Sequence, residues 1–349
     1  MKNDRRSFIK TAVSAGIAMS MTEKVFSFES QGEVAEGGKI GIIGLDTSHV
    51  VAFTKTINDG NAQGKPEYKG FKVVAAYPTK GSEDMPPSIN RLEGFTNTVR
   101  DLGVEIVNSI DELLAKTDVI LLESVDGRRH LDEALPVLKA GKRMFIDKPV
   151  AHNLSGAIKI FNESSKYKVP VFSCSTTRFA PAVIEIVNGK DKVGKVLGAS
   201  TFCPAGMATG HLEMAFYGIH GIEALFTMMG SGCQEVRRIS TSVSDTIIGI
   251  WNDGRTGIFN AVPKGGLGGF GGTVYGEKGV EEKVQILAGY NPMLERIIEF
   301  FRTGVVPVQP EQTLEIFAFM EAADESNLAG GKAVTLESVF KKAKEASIY

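Results

Sequence analysis

The stretch that decides the fold runs from Lys39 to His49 and reads KIGIIGLDTSH. Its first half is a short apolar strand ending at Gly44, and a helix is predicted from Ser48 to Asn58. A buried strand, a glycine and a helix entry in this order are typical of the first unit of a parallel α/β sheet. In such a unit the helix N-terminus is suited to bind phosphate groups. The stretch therefore indicates the start of a nucleotide-binding domain.

The same alternation of apolar runs and helical segments continues as far as Cys174. Five further strands are predicted, over Phe71–Tyr77, Val104–Val107, Asp118–Leu122, Arg143–Ile146 and Val169–Cys174. Continuous Val, Ile and Leu runs suit strands that are buried on both faces. The expected fold class is α/β, with an N-terminal doubly wound, Rossmann-like parallel sheet that binds ligands at the carboxyl ends of its strands.

The pattern changes after Pro181, where strand-like runs follow one another with short turns between them. Asn252-Asp253-Gly254-Arg255 is a strong hairpin signal between two of these runs. We expect a C-terminal α+β domain with an open, mainly antiparallel sheet and closing helices. The predicted division is residues 1–36 as signal and linker, 37–174 as the dinucleotide-binding domain, and 175–349 as the substrate and oligomerisation domain.

Composition narrows the class of protein. The 349 residues carry 39 Lys+Arg and 41 Asp+Glu, and the formal charge of −2 argues against a nucleic-acid binder driven by bulk charge. The three cysteines have no C-x-x-C spacing and are predicted to be buried and reduced. Glycine is in excess, since 39 of the 349 residues are glycine, which is about 11% against a usual ~7%. Much of the excess lies in Gly265–Gly272, which we expect to form a mobile loop near the substrate.

The N-terminus reads Arg5-Arg6-Ser7-Phe8-Ile9-Lys10 and continues into an uncharged run from Thr11 to Met21. This arrangement resembles a bacterial twin-arginine signal, which exports proteins already folded. The apolar run is too short to span a bilayer, so no stable membrane insertion is expected. The prediction is periplasmic localisation, and a cytoplasmic tail is the alternative.

The glycine turn departs from the dinucleotide fingerprint G-x-G-x-x-G, because only Gly44 is present. Asp46 and His49 occupy the second and third positions. Asp46 would bring negative charge toward a pyrophosphate. Alternatively, Asp46 or Thr47 caps the helix while the hydroxyls of Thr47 and Ser48 meet the phosphates. The second strand ends without the acid that normally holds the ribose, and Lys80 either favours a 2′-phosphate or is solvated.

The fifth strand ends in Asp147-Lys148-Pro149, which places a lysine at the ligand-binding edge of the sheet. A lysine there has no packing role, and its charge suits a developing alkoxide. A surface lysine in a turn is the alternative.

Several motifs together resemble the glucose–fructose oxidoreductase, inositol dehydrogenase and MocA (Gfo/Idh/MocA) family over about Lys39 to Leu328. They are Gly41-Ile42-Ile43-Gly44, His130 ahead of Ala140-Gly141-Lys142, Asp147-Lys148-Pro149, Arg178 with Pro181, and Val193-Gly194-Lys195-Val196. The family's usual third motif is Glu-Lys-Pro, so Asp147 is a departure. The resemblance implies hydride transfer between NAD or NADP and a sugar or cyclitol hydroxyl, in a homo-oligomer.

The resemblance also implies which residues serve the reacting hydroxyl. Lys148 matches the family lysine and His220 matches its histidine, but Phe216 stands where the family has an aspartate. Tyr217 or Glu213 could substitute for that aspartate. An unperturbed histidine pKa suits a general base near neutral pH. The alternative for His220 is a core histidine on the inner face of its helix.

The remaining candidates lie in loops at the strand ends. Ser124 and His130 are expected near the cofactor, and Arg178 and Glu213 near the substrate. Arg128 and Arg129 either meet substrate or phosphate or form salt bridges in an exposed loop. Hydroxyls cluster at the sixth strand end and suit either a sugar ligand or contacts between domains, at Ser173, Ser175, Thr176 and Thr177. His211, Glu213 and His220 are too irregularly spaced for a metal set, and no metal is predicted.

The leading hypothesis is an exported NAD(P)-linked oxidoreductase acting on a sugar, glycoside or cyclitol. Because the periplasm offers little free NAD, its cofactor would remain bound through turnover. The altered glycine turn, the missing ribose acid and Phe216 leave two alternatives open. One is a non-redox lyase or hydratase acting on keto-sugars, and the other is a sugar-binding protein with a degraded nucleotide site.

Overall fold

The computed structural model describes residues 35–189, 192–262 and 269–347. The predicted signal over residues 1–36 lies outside them except for its last two residues, and so does the first half of the glycine-rich segment, residues 265–268. Gly271 and Gly272 belong to a strand, which corrects their assignment to a loop. None of the helices in these ranges has the length and apolar character needed to cross a membrane.

The N-terminal half forms a six-stranded parallel sheet, as predicted. Its strands are β1 Gly38–Ile43, β2 Phe71–Tyr77, β3 Glu105–Ile106, β4 Val119–Leu122, β5 Met144–Ile146 and β6 Val171–Phe172. They are arranged in the order β3-β2-β1-β4-β5-β6, which is the order of doubly wound dinucleotide-binding sheets. The predicted fold class is confirmed.

Helices connect these strands on both faces of the sheet. They are α1 His49–Ala62, α2 Pro86–Asp101, α3 Ile110–Lys116, α4 His130–Lys139 and α5 Leu154–Tyr167. Local capping explains where some of them begin. Asn153 accepts a hydrogen bond from the Gly156 amide at 2.8 Å and so fixes the start of α5.

The strand register brings three chain segments to one edge of the sheet. Ile43 is paired with Leu122, and Leu122 with Ile146. The amide of Glu123 donates to Ile43, and that of Asp147 donates to Leu122, both at 2.8 Å. The residues that follow β1, β4 and β5 therefore share the edge where ligands bind in this type of sheet.

The C-terminal half contains a seven-stranded sheet in the order β12-β11-β7-β10-β9-β8-β13. Its strands are β7 Val196–Pro204, β8 Cys233–Ser240, β9 Asp245–Trp251, β10 Thr256–Val262, β11 Gly271–Gly276, β12 Val280–Val284 and β13 Val334–Thr335. The sheet is mainly antiparallel, as predicted, and β7 and β10 are its parallel pair. The predicted hairpin at residues 252–255 joins β9 to β10.

The remaining helices are α6 Pro181–Asn188, α7 Ile219–Met229, α8 Asn291–Thr303, α9 Pro310–Leu328 and α10 Leu336–Ser347. A 3-10 turn spans Thr176–Phe179. The sequence patterns did not indicate this turn, α6 or β13. All three cysteines are buried and free, which confirms their prediction.

One helix crosses from the second half of the chain into the core of the first. The apolar side of α8 buries Leu294, Ile298 and Phe300 in the same cluster as Ile40 and Phe53. The Arg143 side chain also donates to the Phe301 carbonyl at 2.8 Å. The hydrophobic core of the parallel sheet is therefore completed by residues more than 100 positions beyond its last strand.

Candidate active site

Lys148 lies directly after β5, where the two halves of the chain meet. Its Nζ donates to the Phe216 carbonyl at 3.4 Å and lies 5.8 Å and 6.0 Å from the ring centres of Phe216 and Tyr217. Burial lowers the pKa of Lys148, and the neighbouring Asp147 and Glu123 carboxyl groups only partly oppose this. Lys148 is half-buried, and its ammonium group points toward the second domain.

His220 belongs to the first turn of α7 and is 9% exposed. Its Nδ1 is 2.7 Å from the Ser175 hydroxyl, and its carbonyl accepts from the Thr177 hydroxyl at 2.7 Å. Burial, together with the charge of Lys148, holds the pKa of His220 well below its ordinary value. This corrects the expectation of an unperturbed pKa: the imidazole is neutral near pH 7, with Nε2 outside these contacts.

The two alternatives offered for the hydroxyl cluster are resolved for Ser175 and Thr177. Both hydroxyls hold His220 by the bonds just described, and they lie 2.9 Å from each other. They connect the end of the parallel sheet to α7 and thereby fix the position of the imidazole. Contacts that join the end of the parallel sheet to α7 account for these two side chains.

Aromatic rings surround the space beside Lys148 and His220. Tyr217 is 39% exposed, and its ring centre is 5.3 Å from that of His220. Phe270, beside the glycine-rich segment, lies 6.0 Å from His220 and 6.2 Å from Tyr217. The structure thus brings together the three residues predicted to be catalytic, Lys148, His220 and Tyr217.

A buried carboxyl pair lies on the other side of Lys148. Glu123 and Asp147 follow adjacent strands and are 0% and 4% exposed. Asp147 Oδ2 is 2.7 Å from His49 Nδ1, whereas both Glu123 oxygens and Asp147 Oδ1 have no hydrogen-bond partner within the described ranges. Burial and the neighbouring Asp147 raise the pKa of Glu123 well above its usual range. Burial also acts to raise the pKa of Asp147, but the contact with His49 outweighs it and lowers that pKa.

The turn after β1 fits the phosphate groups of a dinucleotide. Gly44 has φ +86°, and a Cβ at this position would lie 2.4 Å from the Ser124 amide nitrogen, so only glycine allows this close approach. Ser48 is the N-cap of α1 but makes no capping hydrogen bond with its side chain. The N-cap side chain therefore does not occupy the first-turn amides of α1, and the His49 amide makes only a long 3.4 Å bond to Thr47, so these amides can bind an anion.

Asp46 does not face that anion position. Its carboxylate accepts from the Val125 amide at 3.0 Å and from the Ser88 hydroxyl, and burial raises its pKa. Asp46 therefore joins the loop after β1 to the loop after β4 and to α2. This corrects the expected placement of Asp46 at the pyrophosphate and the alternative in which it caps α1. Thr47 accepts only a long 3.4 Å bond from the His49 amide.

His130 is fully buried between the loops after β4 and β5. Its Nε2 and Nδ1 are 2.6 Å from the Ser124 carbonyl and 3.1 Å from the Val150 carbonyl. Both ring nitrogens are engaged by the backbone, so His130 holds the loops after β4 and β5 together. Ser124 lies against Gly44. Of these two predicted cofactor residues, only Ser124 borders the glycine turn.

Two predicted substrate residues are occupied elsewhere. The Arg178 guanidinium forms a buried ion pair with Glu223 of α7. Glu213 pairs with Arg238 at 2.5 Å. Each charge already has a protein partner, and their substrate contacts stay a prediction. His211 is also engaged elsewhere, since its Nε2 accepts from the Gly127 amide at 3.0 Å.

The arginines of the loop after β4 form salt bridges. Arg128 binds Asp84 and Asp126 at 2.6 Å and 2.7 Å, and Arg129 pairs with Glu133 at 3.1 Å. Of the two alternatives for this loop, the structure favours the salt-bridged one.

Sequence reasoning missed three residues of the site. Glu123 and Asp147 could have been found from the strand assignments, since the ends of neighbouring parallel strands meet at one edge. Tyr290, whose ring centre is 4.9 Å from that of His49, gave no such signal. It precedes α8 and reaches the site only because that helix packs on the first domain.

Comparison with known proteins agrees with this architecture. Residues 39–174 match the model of the oxidoreductase family GFO_IDH_MocA, described as an NAD-binding Rossmann fold. The chain matches none of the curated proteins.

Solved structures extend the likeness over most of the chain. A myo-inositol dehydrogenase from Lactobacillus casei, in complex with NAD(H) and myo-inositol, has a TM-score of 0.67 at 16% sequence identity. The match covers 86% of this chain and 96% of the dehydrogenase. A scyllo-inositol dehydrogenase from the same organism, with bound NAD(H) and scyllo-inositol, has a TM-score of 0.65 at 15% sequence identity. That match covers 86% of this chain and 99% of the scyllo-inositol dehydrogenase. GenD2 from gentamicin A biosynthesis, in complex with NAD, has a TM-score of 0.66 at 13% sequence identity, and the match covers 87% of this chain and 97% of GenD2. At these identities the likeness shows the fold.

Proposed function

We propose that this chain, whose residues 39–174 match the NAD-binding Gfo/Idh/MocA oxidoreductase family, oxidises or reduces a hydroxyl-bearing carbon of a sugar or cyclitol. The observation that carries the proposal is the meeting of Lys148 and His220. They come from different domains, and Tyr217 lies within 6.0 Å of the lysine and 5.3 Å of the histidine ring. The inositol dehydrogenases similar in fold were crystallised with cyclitols, which supports the substrate class.

His220 is suited to take the proton of the reacting hydroxyl. Its Nδ1 is held by Ser175 at 2.7 Å, and a neutral imidazole can accept a proton at Nε2. The fixed ring needs no aspartate at position 216 for its orientation. Ser175 therefore takes the positioning role that Phe216 cannot provide.

Lys148 is suited to stabilise negative charge on the same oxygen. Its ammonium group is anchored by the Phe216 carbonyl and bordered by aromatic rings, so it is fixed in a site of low polarity. NAD, when bound, supplies the two-electron acceptor at the carboxyl edge of the sheet. Gly44 and the first turn of α1 would hold its phosphates.

The first test asks whether the protein carries a nucleotide. The full chain is purified, and one portion is denatured and analysed for released NAD(H) or NADP(H) by mass spectrometry. A second, folded portion is freed of nucleotide and titrated with NAD and with NADP. We expect NAD in preference to NADP. Absence of nucleotide combined with absence of binding would overturn the proposal.

The second test addresses the two catalytic residues. Lys148→Met and His220→Gln are each expected to retain the nucleotide and lose turnover of a polyol, followed as nicotinamide absorbance at 340 nm. Arg237→Met, on the second sheet, is the control and keeps turnover. Full activity in both site variants would assign the chemistry to other residues.

A non-redox activity on keto-sugars is the second candidate. The observation that favours it is the end of β2, where no acid follows Tyr77 and Lys80 is exposed. Turnover of a keto-sugar by nucleotide-free protein would select this candidate. Saturable sugar binding with no turnover would instead indicate a binding protein.

We further propose that the protein is exported folded by the twin-arginine route, with its nucleotide retained in the periplasm. The pair Arg5-Arg6 ahead of Ser7-Phe8 supports this. Replacing both arginines by lysine is expected to keep the protein in the cytoplasm, as measured by cell fractionation. Unchanged export would refute the route.

We also propose that the protein forms a homo-oligomer through its second sheet. Leu197, Tyr275 and Val280 lie on the neighbouring strands β7, β11 and β12, and with Ile239 on β8 they are 47–55% exposed. Exposed apolar side chains grouped on one sheet are typical of an interface between proteins. Light scattering after gel filtration tests this, and a monomer at micromolar concentration would contradict it.

A further inference from the structure

We propose that His49, Glu123 and Asp147 bind one divalent transition-metal ion of the zinc class. The three residues follow β1, β4 and β5, which are neighbours in the parallel sheet. One donor atom from each lies within 4.8 Å of the others. His49 Nδ1 is 2.7 Å from Asp147 Oδ2 and 4.0 Å from Glu123 Oε2. The cluster is thus assembled by strand order and register, which also fix the backbone of two of its three members.

The carboxyl oxygens lack the partners that burial requires. Glu123 is 0% exposed, and neither of its oxygens has a hydrogen-bond partner in the described ranges. Asp147 Oδ1 likewise has no hydrogen-bond partner in these ranges. A buried carboxylate without a partner is strongly disfavoured, so a bound ion or a shared proton must compensate it.

Lys148 does not supply that compensation by direct contact. Its Nζ donates to the Phe216 carbonyl, and it forms no ion pair within 4.0 Å of either carboxylate in the part of the chain described. The lysine therefore leaves both Glu123 oxygens and Asp147 Oδ1 without a hydrogen-bond partner in the described ranges.

The donor set determines the class of ion. One imidazole nitrogen and carboxylate oxygens from two residues match catalytic zinc sites, in which three protein ligands leave a fourth position open. An all-oxygen set would favour Mg²⁺ or Ca²⁺, and thiolates would favour Cu⁺. The His49 ring is also held in place by aromatic contacts, because it stacks on Phe53 at 5.3 Å and meets Tyr290 edge-on at 4.9 Å.

The test uses the full chain, stripped with a chelator and dialysed at pH 7.5. Zn²⁺ is titrated by calorimetry, and Co²⁺ by its visible absorption, which reports four- or five-coordinate binding. We expect one equivalent of each ion. His49→Gln and Glu123→Gln should each weaken Zn²⁺ binding by at least about 100-fold, since loss of a ligand exceeds the 10–100-fold cost of losing its support.

His152→Gln and Glu325→Gln are matched controls outside the cluster and should bind as the unaltered chain does. Circular dichroism confirms that each variant is folded, and metal content of the unaltered chain is measured independently by mass spectrometry. The proposal would be overturned if the unaltered chain bound no Zn²⁺, or if both cluster variants bound it as tightly as the unaltered chain. A proton shared by the two carboxyl groups would then be the explanation for their burial. Nucleotide binding is measured separately, so failure of the metal site does not decide the redox proposal.

Discussion

At the scale of single residues, the site depends on how His220 is held. Ser175 is 2.7 Å from Nδ1, so it fixes both the ring angle and the nitrogen that remains for substrate. The sequence indicated His220 through a family resemblance, and it indicated hydroxyls at residues 173–177. It could not show that Ser175 serves His220, because the two are 45 positions apart and belong to different elements of the fold.

Ser175→Ala tests this positioning role. We expect kcat to fall about tenfold with little change in KM, whereas His220→Gln should cost roughly 10²–10⁴ in rate. Ser326→Ala is the matched control, a buried serine that accepts from the Arg238 amide at 2.9 Å. It should alter stability but leave kcat unchanged. An equal fall in kcat for both serine variants would show a general structural effect.

Asp126 should make the protein sensitive to acid. Burial acts to raise its pKa, but hydrogen bonds from Arg128 and Ser82 outweigh burial and lower the pKa to about 2. Because the folded pKa lies below the unfolded value of about 3.9, this stabilisation is complete above the unfolded pKa and is lost as pH falls toward the folded one.

Asp126→Asn is therefore expected to lower the free energy of unfolding at pH 7 by about 1–2 kcal/mol. The difference from the unaltered chain should shrink as the pH approaches the folded pKa in urea unfolding experiments. Asp253→Asn, in an exposed turn with Arg255, is the control with a much smaller effect. A constant difference across the pH range would refute the assignment to titration of Asp126.

At the scale of elements, the sequence predicted most strands and helices of the first domain to within a few residues. Those elements are fixed by local patterns, such as the apolar run Val119–Leu122, which is buried on both faces. The direction of Asp46 could not be predicted, since it depends on Ser88, which is 42 residues away. The buried position of Glu123 likewise follows from β4 lying between β1 and β5.

The turn between β1 and α1 should be intolerant of any side chain at Gly44. Gly44→Ala adds left-handed strain of about 1–2 kcal/mol and overpacking against Ser124 of about 1–3 kcal/mol. Gly64 isolates the first contribution, since it has φ +69° but nothing within 4 Å of the place where an added methyl group would lie. Gly64→Ala should cost only the strain and keep nucleotide binding, whereas Gly44→Ala should lose it. Equal losses in thermal unfolding and in NAD titration would contradict this reading of the turn.

At the scale of the whole molecule, the two domains predicted from the sequence are not independent in their packing. The phenylalanine rings of residues 172 and 300 are 5.0 Å apart, and they join β6 to α8. Nothing local in the segment Asn291–Thr303 distinguishes a helix that covers the second sheet from one that covers the first. An amphipathic pattern specifies a buried face but not the surface that buries it.

The interlocking of the two halves should be measurable in the stability of the first domain. Phe300→Ala should lower the free energy of unfolding by about 3–5 kcal/mol, because its ring is fully buried in the core of the parallel sheet. Hydrogen exchange should show the loss of protection first in β1 and β6. Phe319→Ala is the matched change in α9, where the ring packs on Phe226 at 5.3 Å, and it should expose β8 to β10 first. If Phe300→Ala instead loosened only the second sheet, α8 would belong energetically to the domain in which its sequence lies, and the parallel sheet would be complete without it.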